Sequence, residues 1–231
     1  MIIAFSGMDG SGKSLQAKAL SETLRSSDFS CRYVWSRWSP FLAKPVIVLG
    51  RFILGSSGSS EDEQYRAFSM GKRRLFRRGW LAQAWKTVAM LDYLFQVLIK
   101  VVRHGRRRRI IVCDRYLVDL LVDLANNFGY DPKEAAGLCH SWLLTLFPRP
   151  DLYFLLDLPA EVAFARKDDV TVSYLQDRRA LYLGLAEFYG ADILDGDVTI
   201  EQLKKSIQDK TLAFLEGGGT GDRRPSSDHR D

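Results

Sequence analysis

Lys13 and Ser14 close the run GMDGSGKS, Gly7 to Ser14, and this spacing of glycine, lysine and hydroxyl matches G-x-x-x-x-G-K-[ST], the P-loop. Glycine at positions 7, 10 and 12 lets the backbone curl so that successive N–H groups converge on phosphate oxygens, and a helix beginning at Lys13 adds its dipole. Lys13 supplies a mobile positive charge and Ser14 a hydroxyl suited to magnesium. The expected triphosphate-binding stretch is therefore Gly7, Gly10, Ser11, Gly12, Lys13, Ser14 and Leu15. Strand before and helix after, as the apolar run IIAF and the periodic segment from Ser14 suggest, are the context such a loop needs.

A second group sits at IIVCDRY, where an apolar strand ends in Asp114 and Arg115. A carboxylate at that point, beside a P-loop, holds magnesium directly or through water, and an arginine next to it offers a planar fork to a transferring or acceptor phosphate. The third group is LPAEVAFARK followed by DDVTVSYLQDRR: Arg166, Lys167, Arg178 and Arg179 flank a short polar segment with the composition of a lid over phosphates.

These residues need a scaffold, and the chain predicts one. Short β-rich runs alternate with longer helical patterns, the signature of crossover units on a mostly parallel sheet. The predicted strands are Ile2 to Phe5, Cys31 to Trp35, Ile110 to Cys113, Leu152 to Leu156 and Asp192 to Leu194. Ser14 to Arg25 places Ala17, Leu20 and Leu24 on one helical face, and Trp80 to Arg103 reads as a long helix. Ser60 with Glu63 and Thr199 with Gln202 have capping-box spacing, and Asp131 followed by Pro132 reads as an N-cap with a first-turn proline.

With 231 residues and 46% hydrophobic content, one core and one domain are expected over residues 1–215, with a polar, glycine-rich disordered tail over 216–231. The N-terminus has the pattern of a cytoplasmic protein, running straight from Met1 into the first strand. Cys31, Cys113 and Cys139 have no metal-ligand spacing and read as reduced thiols. The net charge of +5 suits a protein that handles anions. Phe41 to Gly55, the most apolar stretch, is too short to span a bilayer; core, subunit interface or a membrane-surface helix are its readings.

FSGMDGSGKS, a strand ending in Arg37, CDRY, PDLYFLLDLPAEVAFAR and RRALYLGLAEFYGADILDGD together resemble the thymidylate kinase family of nucleoside monophosphate kinases over most of residues 1–210. The resemblance implies an α/β P-loop NTPase fold: a five-stranded parallel sheet flanked by helices, with a short lid. It also implies Mg2+, ATP as co-substrate, a homodimer, and phosphorylation of dTMP to dTDP. By position, Asp9 resembles the P-loop carboxylate that contacts the acceptor sugar, Arg37 the acceptor-phosphate arginine and Arg115 its partner. Tyr116, in the same DRY run, joins that expected acceptor site. Glycine at position 10 is similar to members that take their catalytic basic residue from the lid, here Arg166, Lys167 or Arg178, beside Lys13 and Arg115. The departures fall where the acceptor base belongs. Arg37 begins RWSPF instead of R-E-P-G-G, Met90 stands near the thymine-reading arginine, and Asp119, Val122 and Asp123 replace the serine and A-Y-Q run after DRY; Leu15 replaces a second hydroxyl residue.

Two other readings use the same residues. A nucleoside kinase acts on a hydroxyl and benefits from a carboxylate base; SRWSPF supplies none after the second strand, leaving Asp9, Asp119 or Asp123. A diverged P-loop protein that binds nucleic acid or an anionic membrane would use the basic clusters Lys72 to Arg78 and Arg103 to Arg109. A GTPase is set aside, because the chain has no N-K-x-D run.

Overall fold

Five strands form one parallel sheet in the order β2-β3-β1-β4-β5. The computed structural model describes residues 1–41, 44, 79–102, 110–166 and 170–217. The strands are β1 (Ile2–Gly7), β2 (Cys31–Trp35), β3 (Ile110–Asp114), β4 (Leu152–Asp157) and β5 (Asp192–Asp195). All five fall where the apolar runs predicted them, each extended by no more than two residues. The helices are α1 (Lys13–Ser26), α2 (Gly79–Val97), α3 (Leu117–Phe128), α4 (Pro132–Ala136), α5 (Ala160–Arg166), α6 (Val172–Phe188) and α7 (Ile200–Glu216). A π-helical turn, Leu98–Val102, continues α2 and completes the long helix expected there.

Strand alternation sorts the core into two layers. Ile3, Phe5, Val112, Phe154 and Leu156 face α1 and α7, meeting Ala17, Leu20, Leu24, Leu203 and Ile207. Ala4, Cys113, Tyr153 and Leu155 point the other way, into a larger cluster with α2, α3 and α6 that includes Ala89, Tyr93, Leu121, Leu124, Tyr182 and Leu185. Both sides of the sheet are covered, which is why the strands read as continuous apolar runs. Two expected caps are present: Asp131 accepts from the Glu134 N–H at 2.7 Å ahead of Pro132, and Thr199 accepts from the Gln202 N–H at 3.2 Å. The Ser60 cap, most of Phe41 to Gly55, both basic clusters, Lys167 and the tail beyond Gly217 lie outside the described residues.

This order places the site. β1 is central, and the crossover from β3 to β4 passes over it, so the carboxyl ends of β1 and β3 open at the point where the topology reverses, the usual ligand crevice of such sheets. Register sets Phe5 beside Asp114 and Gly7 beside Leu156. A Cβ on Gly7 would stand 2.6 Å from the Leu156 carbonyl oxygen. Only glycine lets the loop leave the strand this close to β4.

Candidate functional site

Gly10 and Gly12 take φ of 88° and 80°, the left-handed region that a turn of this shape demands. They bring the chain from β1 to the N-terminus of α1. The resulting cleft, of about 290 Å³, is lined by Asp9, Gly10, Gly12, Lys13, Ser14, Leu15 and Arg115. Gly7 and Ser11 lie just beneath; Ser11 is buried and its Oγ has no partner among the described residues.

Charge in the cleft alternates. Lys13, 4% exposed, donates to the Met8 carbonyl at 2.9 Å and reaches Asp9 at 3.4 Å; Arg115 holds the same Asp9 oxygen through Nη2. Burial would raise the Asp9 carboxyl, but Lys13 and Arg115 outweigh it and hold it well below the usual carboxylate range. Burial, helped by Arg115, lowers the Lys13 ammonium, while Asp119, Asp9 and Asp114 pull the other way. Two cations converging on one half-exposed carboxylate make a site that accepts an anionic group readily in its place.

Asp114 ends β3 fully buried. Its Oδ2 accepts from Tyr33 Oη at 2.7 Å, and its Oδ1 has no partner among the described residues. A buried carboxylate oxygen left without a donor is costly. Magnesium seeks oxygen ligands, and with bound phosphates it takes only one or two carboxylates. Asp114 Oδ1, buried without a donor, and the exposed Ser14 hydroxyl are oxygen donors of the kind that ion takes, and no cluster of three or more acidic, histidine or cysteine side chains competes among the described residues.

Arg115 adopts φ of 70°, unusual for a non-glycine residue, and its N–H donates to the Phe5 carbonyl at 2.9 Å. The turn lifts its side chain off the end of β3 into the cleft. Arg166, at the end of α5, donates to the Gly10 carbonyl at 3.2 Å and the Gly196 carbonyl at 3.4 Å, and pairs with Asp197 at 3.6 Å. Among the described residues it is the expected lid residue that reaches the loop; Gly10 is required there by its φ of 88°, since a Cβ would make only ordinary contacts with Ala163 and Arg166.

The other expected residues sit elsewhere. Arg178 and Arg179, on the far flank of the polar segment, stand two turns into α6. Arg178 pairs with Asp123 at 2.9 Å, and Arg179 grips Asp157 through two bonds of 2.7 and 2.6 Å. Arg37 is exposed after β2. Met90, Tyr116 and Asp119, expected to touch the acceptor, do not line the cleft. Met90 is core on α2, the Tyr116 hydroxyl donates to the Pro148 carbonyl at 2.8 Å, and Asp119 lies beneath Arg115. Ser6, Tyr33, Tyr182 and Asp197 complete the site without having been singled out; a serine inside the apolar strand IIAFSG was the one local signal.

P-loop, strand-end aspartate and parallel sheet together define a P-loop NTPase fold of the kind that carries nucleotide kinases. The chain resembles curated thymidylate kinases along most of its length. It is 26% identical to the one from Ruegeria pomeroyi over 234 residues, covering 93% of this chain and 96% of that protein. It is 28% identical to that of Rickettsia typhi over 181 residues, 78% and 75% of the two. A "Probable thymidylate kinase" of Pyrococcus horikoshii is 25% identical over 200 residues, 81% and 83%. No protein-family model matches the chain. The chain is thymidylate kinase-like, a distant relative of these proteins.

Proposed function

We propose that the protein is a nucleoside monophosphate kinase that transfers the terminal phosphoryl group of ATP, with Mg2+, to an acceptor that already carries phosphate, dTMP being the family default. The observation that carries this is the cleft in which Lys13 and Arg115 both reach the same oxygen of Asp9. Lys13 and the loop N–H groups bind donor phosphates; Arg115, displaced from Asp9, binds the acceptor phosphate and orients it in line. Arg166, already over Gly10, neutralises charge developing on the transferred group. Ser14 and Asp114 would hold magnesium, which would supply positive charge against the donor phosphates.

A hydroxyl acceptor fits less well, because each candidate base is committed. Asp9 is held too acidic to draw a proton from a hydroxyl efficiently, Asp119 is buried under Arg115, and Asp123 is paired with Arg178. Leu91, Phe95, Leu98 and Ile99, exposed at helical spacing on α2 and its π turn, support a homodimer formed through that face. No helix among the described residues is long and apolar enough to cross a membrane.

The test is labelled-ATP transfer to a panel of nucleoside monophosphates, nucleosides and phosphorylated sugars. The reading expects diphosphate product from at least one nucleoside monophosphate. Product from nucleosides alone would establish the hydroxyl acceptor instead.

A further inference from the structure

Asp119 is a charged side chain with no place in the scheme above, although it is one of the most buried in the molecule at 2% exposed. It stands in the first turn of α3, and the turn that carries Arg115 just ahead of the helix brings the guanidinium onto it. Both oxygens are saturated. Oδ2 accepts from Ser6 Oγ at 2.5 Å and from the Tyr116 N–H at 3.1 Å; Oδ1 accepts from Arg115 Nη1 at 3.2 Å and from Tyr182 Oη at 3.0 Å. Ser6 is itself 3.0 Å from the Tyr153 hydroxyl, which accepts from the Val118 N–H at 3.0 Å. Donors from β1, from the turn ahead of α3 and from α6 thus hold one carboxylate. Burying such a charge is tolerated only when it is paired and fully hydrogen-bonded, and here it is both.

Arg115 lies between two unlike carboxylates. Asp119 is fixed and buried, whereas the Asp9 side chain is 49% exposed on the loop. An incoming phosphate competes with the exposed partner and leaves the buried one in place. We infer that Asp119 is a positioning residue: with Ser6 and Tyr182 it forms a rigid seat that aims the Arg115 guanidinium at the acceptor phosphate. Without that seat the guanidinium turns about its own long side chain, and each acceptor that binds has to order it again. The seat also reaches α6, because Arg178 donates to Tyr182 Oη at 3.4 Å while paired with Asp123.

The inference rests on the phosphoryl-transfer reading of the cleft, and two measurements separate them. The first is side-chain NMR of the Arg115 guanidinium in the full chain, which needs no turnover. Wild type shows slow rotation about Nε–Cζ with resolved Nη signals, and Asp119→Asn shows averaged ones. The second is steady-state kinetics with dTMP as the acceptor probe. Loss of a charged bond in the seat raises the KM for dTMP about tenfold in Asp119→Asn and about threefold in Tyr182→Phe, with the KM for ATP within about twofold of wild type. Tyr182→Phe removes one hydroxyl only and carries the same comparison if Asp119→Asn does not fold. Unchanged Arg115 dynamics, or KM values for ATP and dTMP that rise in parallel with a loss of thermal stability, overturn the seat. A wild type that phosphorylates no nucleotide overturns the kinase reading, and the NMR comparison then still decides the role of Asp119.

Discussion

Asp9 is where the two cations of the cleft are balanced, and its protonation has a predictable consequence. Its folded pKa is depressed by Lys13 and Arg115 against the opposing effect of burial. The stability it contributes is therefore present above the unfolded carboxyl value of about 3.9, and is lost as pH falls from there toward the folded value. Thermal unfolding of wild type and Asp9→Asn followed from pH 7 to pH 2 should show a gap between the two that is constant down to about pH 4 and shrinks below it. Tyr33 makes a second residue-scale prediction. Its hydroxyl occupies Asp114 Oδ2 and keeps Oδ1 directed away from it, so Tyr33→Phe lets the carboxylate rotate. Mn2+ binding read by electron paramagnetic resonance in the presence of ATP should weaken by about tenfold, the range typical of groups that orient a metal ligand; unchanged binding would remove that role. The placement of Gly7, Lys13 and Ser14 on one loop was legible in the sequence because they are neighbours along the chain, and that of Asp114 and Arg115 because they follow an apolar strand. Ser6, Tyr33 and Tyr182 were not, since each meets its carboxylate partner across at least 63 residues of chain.

At the scale of elements, every described strand was legible, since apolar runs of four to six residues between turn signals have few other uses. The lid region was less so. Four basic residues around a polar segment look alike in sequence, but α6 carries Arg178 and Arg179 into contact with Asp123 and Asp157 while α5 delivers Arg166 to the loop. Arg166→Ala should lower kcat by about 100-fold or more, as loss of a transition-state charge does. Arg179→Ala should leave kcat within about threefold and lower Tm instead, because its paired bonds fasten α6 to the end of β4 and a lost bidentate contact costs about 1–3 kcal/mol. Steady-state kinetics beside thermal unfolding separate the two. The opposite pattern would exchange their roles. The acceptor end is harder to read from sequence for a physical reason: Met90 and Asp119, which the resemblance points to as base-site positions, are both buried in the interior.

The whole molecule presents an apolar stripe on α2 and its π turn, Leu91, Phe95, Leu98 and Ile99, beside a sheet whose own faces are already covered. Single exposed apolar residues need no explanation, but four at helical spacing suit a self-complementary helix pair. Sedimentation equilibrium should show a dimer for wild type and a monomer for Phe95→Asp, a charge that such an interface would bury without a partner. The central claim concerns phosphate, and it is tested most directly by the product of one reaction. Purified protein, Mg2+ and γ-labelled ATP are incubated with dTMP and the other nucleoside monophosphates, alongside Lys13→Ala. Label should appear in a nucleoside diphosphate with wild type and be lost with Lys13→Ala, whereas no labelled diphosphate from any of these acceptors would contradict the account.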